Sequence, residues 1–281
     1  MKNTLLFLTF ILFSKSIFSQ NEAIDLNDKG IEFAKKGKLD KAFELFDKII
    51  KTYPEYSKAY SNRANIYRLQ KKYNLAIIDF SKSIELAPDN LDIIYSRANT
   101  YLDSKDFQNA IKDYSTIISK MPSFENIYFD RAYAFIRIEN YIEAKNDLES
   151  QLKLNPNDFK SLANLINLKK KLKLYDEALL DYDKILKQFP NQPDLHIVYN
   201  NRSTLYQDLN QNEKALVDAN MAIEIKADYD LGLFNRAGIY LKLGDEKNAC
   251  FDFSKAKKLG LEENKHFKVD EDYENLVKLC K

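Results

Sequence analysis

The sequence predicts an all-α array of seven consecutive helix pairs closed by a C-terminal capping helix. Three observations predict it: a proline series, an alanine series in the same step, and apolar residues at helical spacing on either side of a short polar turn. Pro54, Pro88, Pro122, Pro156 and Pro190 follow one another at intervals of 34 residues. Ala42, Ala76, Ala110, Ala144 and Ala178 keep that step, and after a three-residue insertion the series resumes at Ala215 and Ala249. A period in this range marks a stacked repeat, because one short supersecondary unit cannot bury its apolar face alone.

Ahead of the first repeat, Lys2, the apolar run Leu5 to Phe13 and the small Ser19 read as a secretory signal peptide over residues 1–19, with Lys15 interrupting a run too short to cross a bilayer. Five repeats are expected over 23–192, an insertion over 193–195, two repeats over 196–263 and the capping helix over 264–281. In the second repeat Tyr60, Ala64 and Tyr67 lie on one helical face, and Ala76, Phe80 and Ile84 on another. Pro88 ends the pair because proline cannot sit inside a helix, and Asp89 and Asn90 offer capping oxygens to the next one. Counting the second repeat from Ser57, position eight is small (Gly30, Ala64, Ala98, Ala132, Ser203, Ala237) and position eleven aromatic (Phe33, Tyr67, Tyr101, Phe135, Tyr206, Tyr240). The fifth repeat departs from this, with Ile166 at the small position and Lys169 at the aromatic one, so its first helix is expected to pack unlike its neighbours. The insertion with Pro190 and Pro193 reads equally as a longer turn or a hinge.

The pattern of small residue, aromatic, Ala at position twenty, aromatic at twenty-four and Pro at thirty-two resembles the tetratricopeptide repeat family over nearly the whole chain after residue 22. The resemblance implies antiparallel helix pairs stacked into a right-handed superhelical solenoid with a concave groove. It also implies that the groove is lined by the first helix of each pair. On the corresponding positions stand Asn62, Asn65, Asn99, Asn164, Asn167, Asn201 and Asn235, with the aromatics Tyr95, Phe129, Tyr133 and Phe234. An amide both donates and accepts, so a row of them suits an extended main chain, and a ring can anchor a partner side chain. The family's clamp for C-terminal carboxylates would fall on Asn27, Ile31, Asn62, Asp92 and Ser96, where only Asn62 fits.

Two charge series recur, Arg63, Arg97, Arg131, Arg202 and Arg236 at position seven and Asp79, Asp113, Asp147, Asp181, Asp218 and Asp252 at position twenty-three. They are expected to pair in a ladder, within a repeat or between neighbours. At the C-terminus Gly260 reads as a helix terminator, and Val269, Tyr273, Leu276, Val277 and Cys280 form one apolar face of a cap. If the two helices run antiparallel, Cys250 and Cys280 come near each other, and the pair reads as a disulfide in an exported chain, with two free buried thiols as the alternative.

Forty-three Lys and Arg balance 42 Asp and Glu, which excludes the strong basic field of a nucleic-acid binder. His196 and His266 belong to no metal spacing, and no phosphate loop or nucleophile elbow is present, so neither catalysis nor a cofactor or metal is expected. The reading is an exported, periplasmic or secreted scaffold, without a transmembrane segment in the mature chain, that binds a protein or peptide. The rival reading is a self-assembling or envelope-complex component with no peptide ligand.

Overall fold

The computed structural model describes residues 21–261 and 271–280; the expected signal peptide lies outside them, as do Val269 and His266. All regular structure among the described residues is helical. A first helix, α1, is described over residues 21–35. After it come α2 (Leu39–Thr52), α3 (Ser57–Leu69), α4 (Tyr73–Leu86), α5 (Leu91–Asp103), α6 (Phe107–Lys120), α7 (Ile127–Arg137) and α8 (Tyr141–Leu154). The rest are α9 (Phe159–Lys171), α10 (Tyr175–Gln188), α11 (Leu195–Asp208), α12 (Asn212–Ile225), α13 (Asp230–Lys242), α14 (Glu246–Lys258) and α15 (Glu271–Leu279). They form seven pairs and a terminal helix, divided by contacts into two compact units, Met1–Leu154 and Asn155–Lys281.

Within each unit consecutive pairs stack, and the repeat positions explain how. All seven alanines at position twenty are fully buried, as are Ala64, Ala98, Ala132, Ser203 and Ala237 at position eight. Gly30 occupies the same place in the first pair, where an added Cβ would stand 2.6 Å from the Phe46 ring. Small residues here let one helix of a pair approach the other, and the large residue at position twenty-four fills the space: Phe46, Phe80, Tyr114, Leu148, Tyr182 and Phe253 are at most 3% exposed. The turn within every pair passes through one left-handed residue, Gly37, Lys71, Lys105, Glu139, Lys173, Asn210 and Gly244, with φ between 56° and 79°. Five of the seven tolerate that conformation without glycine, so pairing of the two helices holds the turn against its local preference.

The charge ladder is built on a forked arginine. Nε and Nη2 of Arg63, Arg97, Arg131, Arg202 and Arg236 donate in parallel to Asp79, Asp113, Asp147, Asp218 and Asp252 of the same pair, at 2.6 to 3.0 Å. Nη1 reaches back to the preceding pair, to Asp47, Ser81, Ser115, Asp183 and Asn220 respectively, at 2.5 to 3.0 Å. Each guanidinium also lies 5.7 to 6.0 Å from the ring four residues later, Tyr67, Tyr101, Phe135, Tyr206 or Tyr240. The five carboxylates are buried, and burial holds the Asp147 carboxyl above its ordinary pKa despite the bond from Arg131.

In the fifth pair α9 packs less closely on α10 than the first helix of the other pairs from α3 onward packs on its second, as its departures from the pattern lead one to expect, but the cation of the ladder is kept. Leu165 stands where the arginine belongs and Lys169 where the aromatic belongs, so apolar group and cation have exchanged places one helical turn apart. Lys169 is buried, and its Nζ donates to Asp181 at 2.7 Å, the same carboxylate the arginine would have met. Leu165 and Ile166 are buried beside it. The ladder therefore continues with a different cation, although Lys lacks the nitrogen that would reach the preceding pair.

At the C-terminal end Leu276 of α15 is fully buried, Tyr273 packs edge-on against Phe253 at 5.5 Å, and Cys280 is bonded to Cys250 with the Cα atoms 5.2 Å apart. Val277 is 39% exposed and does not share that face. Gly260, with φ +104°, ends the segment after α14.

Two outcomes follow from this packing. In a double-mutant cycle monitored by denaturant unfolding, Arg97→Ala and Asp113→Ala couple by about 1 to 3 kcal/mol, whereas Arg97→Ala and Asp79→Ala couple by about zero. Reducing the Cys250–Cys280 bond, which closes a 30-residue separation, lowers stability by roughly 3.5 kcal/mol on the chain-entropy account, with the loss concentrated in exchange protection of α15.

Candidate functional site

The first helices carry the residues proposed for the groove, and the structure sorts them into three groups. Some are consumed by bonds between neighbouring first helices. Asn62 donates to Asn27 at 2.7 Å, Tyr95 to Asp130 at 2.7 Å, and Asn235 to Asn200 at 2.9 Å. All three bonds join position five of one repeat to position six of the next, a separation of 35 residues. Side chains so placed face each other because stacked first helices run in the same direction. Asn99 is consumed differently, accepting from the Tyr114 hydroxyl at 2.6 Å. Tyr95 also packs against Tyr114 and Phe124, at 6.0 and 5.3 Å, and burial with the Asp130 carboxylate pushes its pKa up to about 12. The bonds of Asn62, Tyr95 and Asn235 tie neighbouring first helices to each other.

Phe234 forms the second group and is a correction. It is 3% exposed, with its ring near Phe253 and Tyr273, so α15 covers the face it was expected to present. Its position in the last repeat is what defeated the sequence reading, because only there does a capping helix replace the next pair.

The third group is accessible. In the first unit Tyr133 of α7 is 48% exposed, Phe129 one turn earlier is half-buried, and Asn65 of α3 is exposed. The start of α7 is itself unusual. Phe124 occupies the usual capping position, Asn126 is left-handed at φ 58°, and the helix begins two residues later than its counterparts. Gln151 of α8 donates to the Asn126 side chain at 3.3 Å and holds that distorted entry.

In the second unit Asn167 is exposed, and Asn164 and Asn201 are half-buried. Asn167 and Asn201 line a cavity of about 230 Å³ whose other walls include Phe159, Ile166, Tyr182, Ile185 and Val198. Sequence reading missed this cavity, although its cause was visible. The three-residue insertion before α11 lengthens the connection from α10, and α11 packs less closely on α10 than α13 does on α12. Among the described residues no group of three His, Cys, Asp or Glu side chains is placed to hold a metal, and no helix is long and apolar enough to cross a membrane.

Comparison with known proteins agrees with this geometry. Models of the tetratricopeptide repeat match residues 31–56, 57–90, 125–158 and 232–259. The protein STIP1 homolog of Dictyostelium discoideum is 37% identical over 70 residues, a match spanning 25% of this chain and only 12% of that protein. A tetratricopeptide repeat protein of Parabacteroides merdae superposes with a TM-score of 0.58 at 23% identity, over 92% of this chain and 99% of that one. MamA of Desulfovibrio magneticus RS-1 gives 0.55 at 14% identity, over 60% of this chain and 96% of that one. YrrB, described as a TPR protein with an unusual peptide-binding site, gives 0.55 at 23% identity, over 67% and 95%. At these identities the structural likeness is one of fold alone. The helix pairs and their buried small residues thus coincide with tetratricopeptide repeat matches over residues 31–90, 125–158 and 232–259 of this chain.

Proposed function

We propose that the protein is a non-enzymatic scaffold that binds a peptide or a partner protein on the faces of its first helices. The observation that carries this reading is the aromatic pair on α7. Tyr133 is 48% exposed on a repeat helix whose packing positions are otherwise filled by buried residues, so the fold does not need its ring. Phe129 lies one turn away and is half-buried. Large amphipathic rings held on a rigid helix lose little conformational entropy on contact and make effective anchors. Asn65, Asn164, Asn167 and Asn201 remain as the amides suited to main-chain contacts, a shorter set than the full row because Asn62, Asn99 and Asn235 already have partners.

Export belongs to the same proposal. The charged, apolar and small-residue segments of residues 1–19 have the order of a signal peptide, and the Cys250–Cys280 bond suits an oxidising compartment, periplasmic or extracellular.

A displayed peptide library panned against the full chain tests the binding reading. Selected peptides are expected to lose about 2 kcal/mol of affinity, roughly 30-fold, when Tyr133 is changed to Ala, with the melting temperature unchanged. Absence of any saturable peptide, together with concentration-dependent oligomers by light scattering, contradicts the scaffold reading and favours self-assembly.

A further inference from the structure

Position twenty-two of the repeat lies on the second helix and is exposed in all seven pairs. In the first unit it holds Glu44, Ile78, Lys112 and Asn146, of which one is apolar. In the second unit it holds Leu180, Val217 and Phe251, which are 69%, 63% and 68% exposed. The buried side of α14 is filled by Ala249, Asp252, Phe253 and Ala256, so the fold does not need the Phe251 ring.

Charge sets α14 apart from the other second helices. Lys247 stands one turn before Phe251, and Lys255 and Lys258 stand one and two turns after it. Together with Ser254 they line one shallow hollow beside the ring. None of the three lysines has an ion-pair partner among the described residues. The two carboxylates of α14 lie elsewhere, Asp252 buried against Arg236 and Glu246 outside the hollow. Around Val217 the corresponding positions hold Glu213, Met221 and Glu224, and around Leu180 they hold Asp176, Lys184 and Lys187. Three cations meet at these positions on α14 alone, and lysines grouped without a carboxylate raise a positive potential that favours an anionic partner. Cys250, bonded to Cys280, borders the same hollow and ties α14 to α15 there, which lowers the ordering cost of a contact.

We propose that the outward face of α14 docks an acidic segment of a partner protein, with an apolar side chain of the segment against Phe251. Carboxylates on one side of that apolar residue meet Lys247, and those on the other side meet Lys255 and Lys258. Between the outermost lysines a helix rises about 16 Å, which an extended segment covers in about five residues. The segment is therefore marked by an apolar residue with acidic residues two or three places away on both sides. Glu213 and Glu224 on α12 repel such a segment and favour a course along α14 over one across the second helices. Each exposed ion pair is weak, so affinity rests on the ring and selection on the lysines. One ring beside an acidic neighbouring helix offers little apolar area to a bilayer, whose grip on a surface helix scales with that area. This surface lies on a second helix and goes beyond the first-helix reading above.

The probe is acetyl-Glu-Asp-Leu-Phe-Glu-Asp-amide, titrated onto the full chain and followed by NMR chemical shifts. Its controls are acetyl-Gln-Asn-Leu-Phe-Gln-Asn-amide and acetyl-Glu-Asp-Gly-Gly-Glu-Asp-amide. Saturable binding is expected for the acidic apolar peptide, with shifts centred on α14, and about tenfold weaker binding for each control. Phe251→Ala and Lys247→Glu, both at exposed positions, are each expected to weaken the probe about tenfold with the melting temperature unchanged. A tenfold rise in salt is expected to weaken the acidic peptide several-fold and to leave the neutral one as it was. The proposal is overturned if the acidic peptide does not saturate, if the neutral peptide binds as tightly, or if a folded Phe251→Ala chain binds as before. Shifts centred on α7 assign the peptide to the first-helix surface and overturn it as well. Vesicles of phosphatidylcholine with phosphatidylglycerol that bind through Lys247, while the peptide does not saturate, overturn it in favour of a lipid surface. Library peptides that respond to Tyr133→Ala while α14 binds nothing refute this inference alone and leave the scaffold reading standing.

Discussion

A pair of helices of about fourteen residues each has too little interior to hide its own apolar residues, so every pair depends on the next one to cover it. That dependence dictates the small residues at positions eight and twenty. A larger side chain at either place would hold the helices apart and open the surface that stacking is meant to close. It also explains α15, which covers the pair α13 and α14, with Phe234, Phe253 and Tyr273 in the contact and a disulfide holding the helix in place.

Apolar stacking alone is poorly directional, and the forked arginines supply the direction. A planar guanidinium that meets one carboxylate through two nitrogens and the preceding pair through the third admits a narrow range of offsets between pairs. A carboxylate set against the helix-pair interface is costly to leave without a cation, and at the half-buried Asp181 Lys169 supplies it from four residues beyond the usual place. The site that follows from this arrangement is conditional on it. First helices set at a fixed offset bring position five of one repeat against position six of the next, and residues there bond each other first. Side chains left over from that spacing, Tyr133 and Asn167 foremost, face outward.

Much of the fold could be read from the chain because its period is carried by residues with one physical role each. Ala110 can only be a close-contact residue when six others recur in step with it, and Pro88 can only lie between helices. The Arg97 to Asp113 bond was legible for the same reason, although its third nitrogen was not, since Ser81 carries no charge to mark it. The site was less legible. Asn62 and Asn65 look alike in sequence, yet one is bonded to Asn27 and the other exposed, and only the 35-residue complementarity of Asn27 with Asn62 hinted at the difference. Phe234 reads as a groove residue until the helix that covers it is seen. The cavity depends on how far an insertion lengthens one connection, which composition does not express.

Native-state hydrogen exchange, read amide by amide along the full chain, addresses the dependence of each pair on its neighbours most directly. The account predicts protection that varies in steps of one helix pair, greatest in pairs covered on both sides, such as α5 with α6, and least in α1 with α2. A single uniform opening free energy for all helices, or protection that ignores pair boundaries, would contradict it.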